Sequence, residues 1–67
     1  MEIKEKIKTY RLLCGLSVKE VKLLGNFEQS ETSYRRLESG AQRITPEIEK
    51  EMYRAINLAR ASKIIGE

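Results

Sequence analysis

Three places in this 67-residue chain carry the residues that start a helix, and glycines follow at the places where helices would end. Ser17-Val18-Lys19-Glu20 is an S-x-x-E capping box. The serine hydroxyl accepts the amide three residues on, and the glutamate reaches back to the serine amide, so two orphan donors of one first turn are satisfied together. Ser30 is the N-cap of a second start. Thr45-Pro46 is a third, a capping hydroxyl followed by proline at the first helical position. Gly15 and Gly40 fall where a left-handed residue closes a helix at little cost. This punctuation predicts four helices: one over 2–14, one opening at Ser17 and running through Leu24 to the turn pair Gly25-Asn26, a third over 31–39, and a long last helix from Thr45-Pro46 that reaches Ile64 and Ile65 before Gly66.

The apolar spacing agrees with the punctuation. Ile3, Ile7, Tyr10, Arg11 and Cys14 recur three and four residues apart, with Glu2 and Glu5 near the positive end of the helix and Lys8 and Arg11 toward the negative end. Leu16, just before the capping box, is placed to staple onto Val21. Tyr34 and Leu37 face inward from the third helix, which leaves Glu31, Thr32, Arg35 and Arg36 mostly outward. Phe27, the only phenylalanine, is expected to plug the core from the connection. On the last helix Ile48, Met52, Ile56 (or Ala55) and Ala59 form one apolar stripe. No segment alternates as a strand would, and neither a repeat nor a linker divides the chain. The expectation is one all-α, four-helix compact domain over residues 1–67, with a long C-terminal helix.

Size and composition narrow the function. A chain this short buries only about 60% of the surface its unfolded form exposes, too little to enclose a deep catalytic cavity. It has no histidine, no aspartate and one cysteine, Cys14. Metal sites lack their usual ligands, general-base work would fall to Glu or Lys, and no internal disulfide is possible. Cys14 lies among Leu12, Leu13 and Leu16 and reads as a small core residue. The expectation is no enzyme, no metal, no cofactor and no small-molecule ligand. No stretch approaches the roughly 18 apolar residues of a membrane span, and the opening Lys/Glu alternation is unlike a signal peptide. A cytoplasmic protein without a membrane partner is expected. The net charge of +3 and pI near 9.2 tilt mildly toward a polyanionic partner.

Arg11, Gly15-Leu16-Ser17, Glu20-Val21 and Leu37-Glu38-Ser39-Gly40, in this order and spacing, resemble the Cro/phage-repressor (XRE) helix-turn-helix family over roughly residues 4–45. Members usually close the third helix with Leu-Glu-Asn-Gly, where this chain has Ser39. The resemblance implies a lambda-repressor-like fold with the helix-turn-helix at about 17–39, and a buried ion pair between Arg11 and Glu38. Burial near Leu37 requires such a partner for either charge. Two features depart from the family. Lys22 stands where a small residue usually lets two helices approach, and the count from Ser17 to Gly40 is longer than usual. The extra length is placed at Gly25 to Gln29, where a relaxed turn would let Lys22 point outward.

By matched position, Glu31, Thr32 and Arg36 would read bases, with Arg35 nearby. Arg36 suits the O6/N7 pair of guanine, Thr32 can meet a thymine methyl, and Glu31 can accept from cytosine N4 or simply favour a helix N-terminus. Phosphates would be held by Ser17 and the first amides of its helix, by Lys19, and by Ser39, Gln42 and Arg43 beyond the third helix. The resemblance implies a repressor that binds double-stranded DNA as a homodimer on a palindromic operator, with Tyr53, Ile56, Arg60, Ile64 and Ile65 as interface candidates. The competing expectation is a protein-binding module on the same fold, an antirepressor or antitoxin-like partner.

Overall fold

The helix ends lie where local hydrogen bonds put them. In the computed structural model, which describes residues 2–66, the chain forms α1 (Ile3–Leu13), α2 (Val18–Leu24), α3 (Glu31–Ser39) and α4 (Pro46–Gly66). Among the described residues there is no strand, and the fold is the four-helix all-α domain expected. Ser17 Oγ accepts the Glu20 amide at 3.1 Å while Glu20 Oε1 accepts the Ser17 amide at 2.9 Å, so the capping box is complete. Ser30 Oγ accepts from the Ser33 amide, and Thr45 Oγ1 from that of Ile48. α1 is one residue shorter at each end than the spacing suggested, because no side chain caps it at Glu2 and the chain turns at Cys14. There Gly15 takes φ +71°, its amide returns to the Leu12 carbonyl, and the Leu16 amide returns to that of Arg11. These two bonds make a Schellman closure that needs a residue able to sit left-handed.

One core gathers the four helices. Ile7 from α1, Val21 from α2, Tyr34 and Leu37 from α3, and Met52, Ala55, Ile56 and Ala59 from α4 are fully buried. α2 lies chiefly along α4, while α1 packs on α3 and α4. Cys14 and Ile48 are only half-buried against this core. Ile56 is wholly enclosed, which corrects its place among the interface candidates. It is enclosed along with Ala55 and Ala59, so no second chain can reach it.

The connection between α2 and α3 carries more packing than a surface turn would. Asn26 takes a left-handed φ of +51°, a conformation its short polar side chain tolerates. The turn then drives Phe27 into the core, edge-on to Tyr34 with ring centroids 5.2 Å apart. Lys22 does not point freely outward as expected. It is half-buried, and its ammonium folds back to donate to the Phe27 carbonyl, satisfying an acceptor the turn would leave bare.

The close approach of two helices falls at Gly25 instead. A Cβ added there would collide with the backbone carbonyl oxygen of Ala55 on α4. Gly25 has φ −86°, which any residue adopts. On conformational grounds alone Gly25→Ala would stabilise by about 0.4–1 kcal/mol. We expect the opposite sign, a loss of about 1–3 kcal/mol, because α2 must move off α4. The urea midpoint of the variant checks this, and a raised midpoint would remove the close approach.

Candidate nucleic-acid interface

Ser30 starts α3, and Tyr34 and Leu37 seat it. With those two rings and branches fully buried, the opposite stripe of the helix is Thr32, Arg35, Arg36 and Ser39, and all four are exposed. No other segment among the described residues covers them. Thr32 and Arg36 stand one turn apart and make no ion pair or side-chain hydrogen bond among the described residues. Gly40 ends the helix with φ +89°, and the Gln42 amide returns to the Arg36 carbonyl at 3.2 Å. This holds the chain close to the end of α3, with Arg43 exposed just beyond it.

Glu31 and Arg35 are joined to each other. Arg35 Nη2 donates to Glu31 Oε2 at 2.9 Å and its Nε to the same oxygen at 3.3 Å. An exposed i,i+4 pair of this kind contributes only about 0.3–0.5 kcal/mol, so either partner is readily released to a ligand. The Glu31 carboxylate thus sits on the first turn of α3 as a helix-end charge, engaged by Arg35.

Two of the expected phosphate donors are used inside the chain. The Ser17 amide is held by Glu20 and its hydroxyl accepts from the Glu20 amide. The Ser39 hydroxyl donates to the Arg36 carbonyl at 3.1 Å. Lys19 and Arg43 are exposed and enter no ion pair among the described residues, and Gln42 is half-buried. Glu20 is tied down further. Lys63, from the far end of α4, donates to the Gly15 carbonyl at 2.9 Å and pairs with Glu20 Oε2 at 3.0 Å. The Ser17 amide and then Lys63 hold the Glu20 carboxyl below its usual range.

Behind α3 lies the ion pair the resemblance implied. Arg11 Nε and Nη2 donate to the two oxygens of Glu38, each at 2.9 Å, and Nη1 donates to the Leu16 carbonyl at 2.7 Å. Both side chains are less than a tenth exposed. The hydrogen bonds to Glu38 raise the Arg11 pKa above its ordinary value despite burial. The Tyr34 hydroxyl is buried beside the pair without a hydrogen bond to any described residue, and burial pushes its pKa far up, with Glu38 adding to the effect. Tyr34 is therefore core, and its hydroxyl is not available to a groove.

The interface candidates on α4 separate. Tyr53 is half-buried against Tyr10 of its own chain, ring centroids 5.6 Å apart, and the Tyr10 hydroxyl donates to Asn57. Part of the ring is therefore covered within the chain. Arg60 is exposed, and Ile64 and Ile65 are 65% and 85% exposed. Sequence spacing alone did not add their neighbours. Leu13, 81% exposed, and Cys14 line a shallow groove with Arg60, Lys63 and Ile64, so the end of α1 and the end of α4 present one apolar patch.

No protein-family model, curated protein or solved structure matches this chain. Within the described residues no helix is long and apolar enough to cross a membrane. The sequence gives Lys8 only as a helix-end charge and does not show that the α1 lysines lie beside α3. Lys8 lines a groove beside α3 with Arg35 and Ser39, and Lys4 lies over Gly40. Their spacing of four and three residues from each other and from Arg11 was the available signal.

Proposed function

We propose that the chain is a sequence-specific DNA-binding regulator of the Cro/phage-repressor kind, a cytoplasmic repressor without catalytic activity that acts by occupying its operator as a homodimer. The observation that carries this reading is the uncovered stripe of α3. Thr32 and Arg36 project from a short helix whose opposite face is locked into the core, and Arg43 follows immediately. The major groove admits one such helix, and its outward side chains then meet base edges while flanking cations hold phosphates.

Arg36 has the planar fork that bonds guanine O6 and N7 together, and no carboxylate among the described residues pairs with it. Thr32, one turn earlier, faces the neighbouring base pair with a methyl and a hydroxyl. The patch of Leu13 and Ile64 offers the apolar surface through which two copies join, and two-fold pairing places two α3 helices on half-sites about one helical turn apart.

A salt titration on random duplex, followed by selection of bound sequences from a random pool, tests the reading. Affinity should fall steeply as salt rises, because each neutralised phosphate releases counterions. Arg36→Ala should cost about 1–3 kcal/mol on the selected site and relax the preference at one base pair. An equal loss on every sequence would make Arg36 a phosphate clamp. Binding of duplex that ignores salt, or no binding, would overturn the DNA reading in favour of a protein-binding module.

A further inference from the structure

α1 brings a second row of cations to the side of the molecule that carries the α3 stripe. Lys4, Lys8 and Arg11 share one helix face, and the Arg11–Glu38 pair turns that face toward α3. Lys8 and Arg11 from α1 and Arg35, Glu38 and Ser39 from α3 line one groove between the two helices, together with Val18. Lys8 is exposed and enters no ion pair among the described residues, whereas Lys4 is held by Glu2 at 3.3 Å.

We infer that this groove is a phosphodiester site of duplex DNA, in which Lys8 and Arg35 grip one backbone phosphate from opposite walls. The inference rests on the reading of α3 as the groove-entering helix and extends it to a contact from α1. The sign of the charge favours an anion. Arg11 and Glu38 neutralise each other through both carboxylate oxygens, which leaves Lys8 and Arg35 as the cations facing the groove. The Ser39 hydroxyl donates to Arg36, so the cations carry the attraction. Arg35 is held only by an exposed pair with Glu31 and is free to exchange that partner for a phosphate oxygen.

Position favours a strand backbone over a free anion. The groove adjoins Arg35 and Ser39 of the exposed α3 stripe, so a duplex entered by Thr32 and Arg36 carries one of its strands across α1. The ammonium of Lys8 supplies a point charge and the guanidinium of Arg35 a planar fork, a combination that suits a tetrahedral group held from two sides.

The test compares Lys8→Gln, Lys8→Arg and Lys6→Gln in the full chain, with matched thermal melts. Lys6 is exposed on α1 but lies outside the groove. On random duplex the log–log salt slope of Lys8→Gln should be smaller than that of the parent by about 0.9, the release expected for one phosphate. Its loss of affinity should be the same factor on random and selected sequences. Lys8→Arg should keep the parent slope, Lys6→Gln should leave it unchanged, and Arg35→Gln should repeat the loss from the opposite wall. A steep parent slope that Lys8→Gln and Arg35→Gln leave intact would strike out the groove and spare the reading of α3. Equal losses from Lys6→Gln and Lys8→Gln would reduce the effect to diffuse charge and also overturn the site. A parent chain whose duplex binding ignores salt would remove both proposals.

Discussion

Arg11→Met is expected to lower the folding free energy by about 3–5 kcal/mol, the cost of leaving one member of a buried ion pair without its partner. Glu38 is almost fully enclosed, and its two oxygens accept from Arg11 alone among the described side chains. The same substitution bares the Leu16 carbonyl, which accepts from Nη1 at the junction of α1 and α2. A domain of this length holds about 0.05–0.15 kcal/mol of stability per residue, about 3–10 kcal/mol in all, so the loss removes a large share of it. Urea titration followed by helical circular dichroism measures the loss. The double variant Arg11→Met/Glu38→Leu separates the ion pair from simple packing. Replacing both charges with apolar groups removes the stranded carboxylate, and most of the lost stability should return. A single variant as stable as the parent would mean that Glu38 finds water, contrary to its enclosure.

Phe27→Ala should cost about 3–5 kcal/mol, as expected for deleting a fully buried aromatic side chain. The size of the effect is the informative part, because Phe27 belongs to no helix. An ordinary surface connection tolerates substitution within about 0.5 kcal/mol. Here the connection between α2 and α3 also fills the space against α3, where the Phe27 ring meets Tyr34 edge-on. Loss of the ring leaves a cavity under the helix that carries Thr32 and Arg36, so duplex affinity should weaken along with stability. Phe27→Leu retains most of the volume and should recover most of both. Thermal melts and duplex titration of the two variants check the pair of expectations, and a Phe27→Ala chain that melts with the parent would return the turn to the surface.

The candidate site was legible in the sequence to the extent that it depends on α3 alone. Tyr34 and Leu37, three apart, give the buried side, and the outward stripe follows from helix geometry. The pairing of Glu31 with Arg35 is likewise readable from a spacing of four. The internal use of Ser17 and Ser39 is a different matter. Both carry donors that a phosphate would accept, yet both sit at helix ends, where backbone groups compete for the same hydroxyls. Lys8 was passed over because its role depends on which face of α1 lies against α3, a choice made by Arg11 and Glu38, 27 residues apart in the chain.

What the sequence by itself determined is the set of four helices and, to within a residue, where each begins and ends. The capping box, the N-cap hydroxyls and the left-handed glycines act through bonds between residues a few positions apart, so their outcome does not wait for the rest of the fold. Only the tertiary structure decided whether Ile56, which belongs both to the apolar stripe of α4 and to the interface candidates, is core. The contact between Gly25 and the Ala55 backbone draws α2 onto one stretch of α4, enclosing Ile56 and leaving Ile64 and Ile65 in the open. A glycine without a side chain at that point lets two backbones touch, and where they touch settles which neighbouring residues are shielded from water.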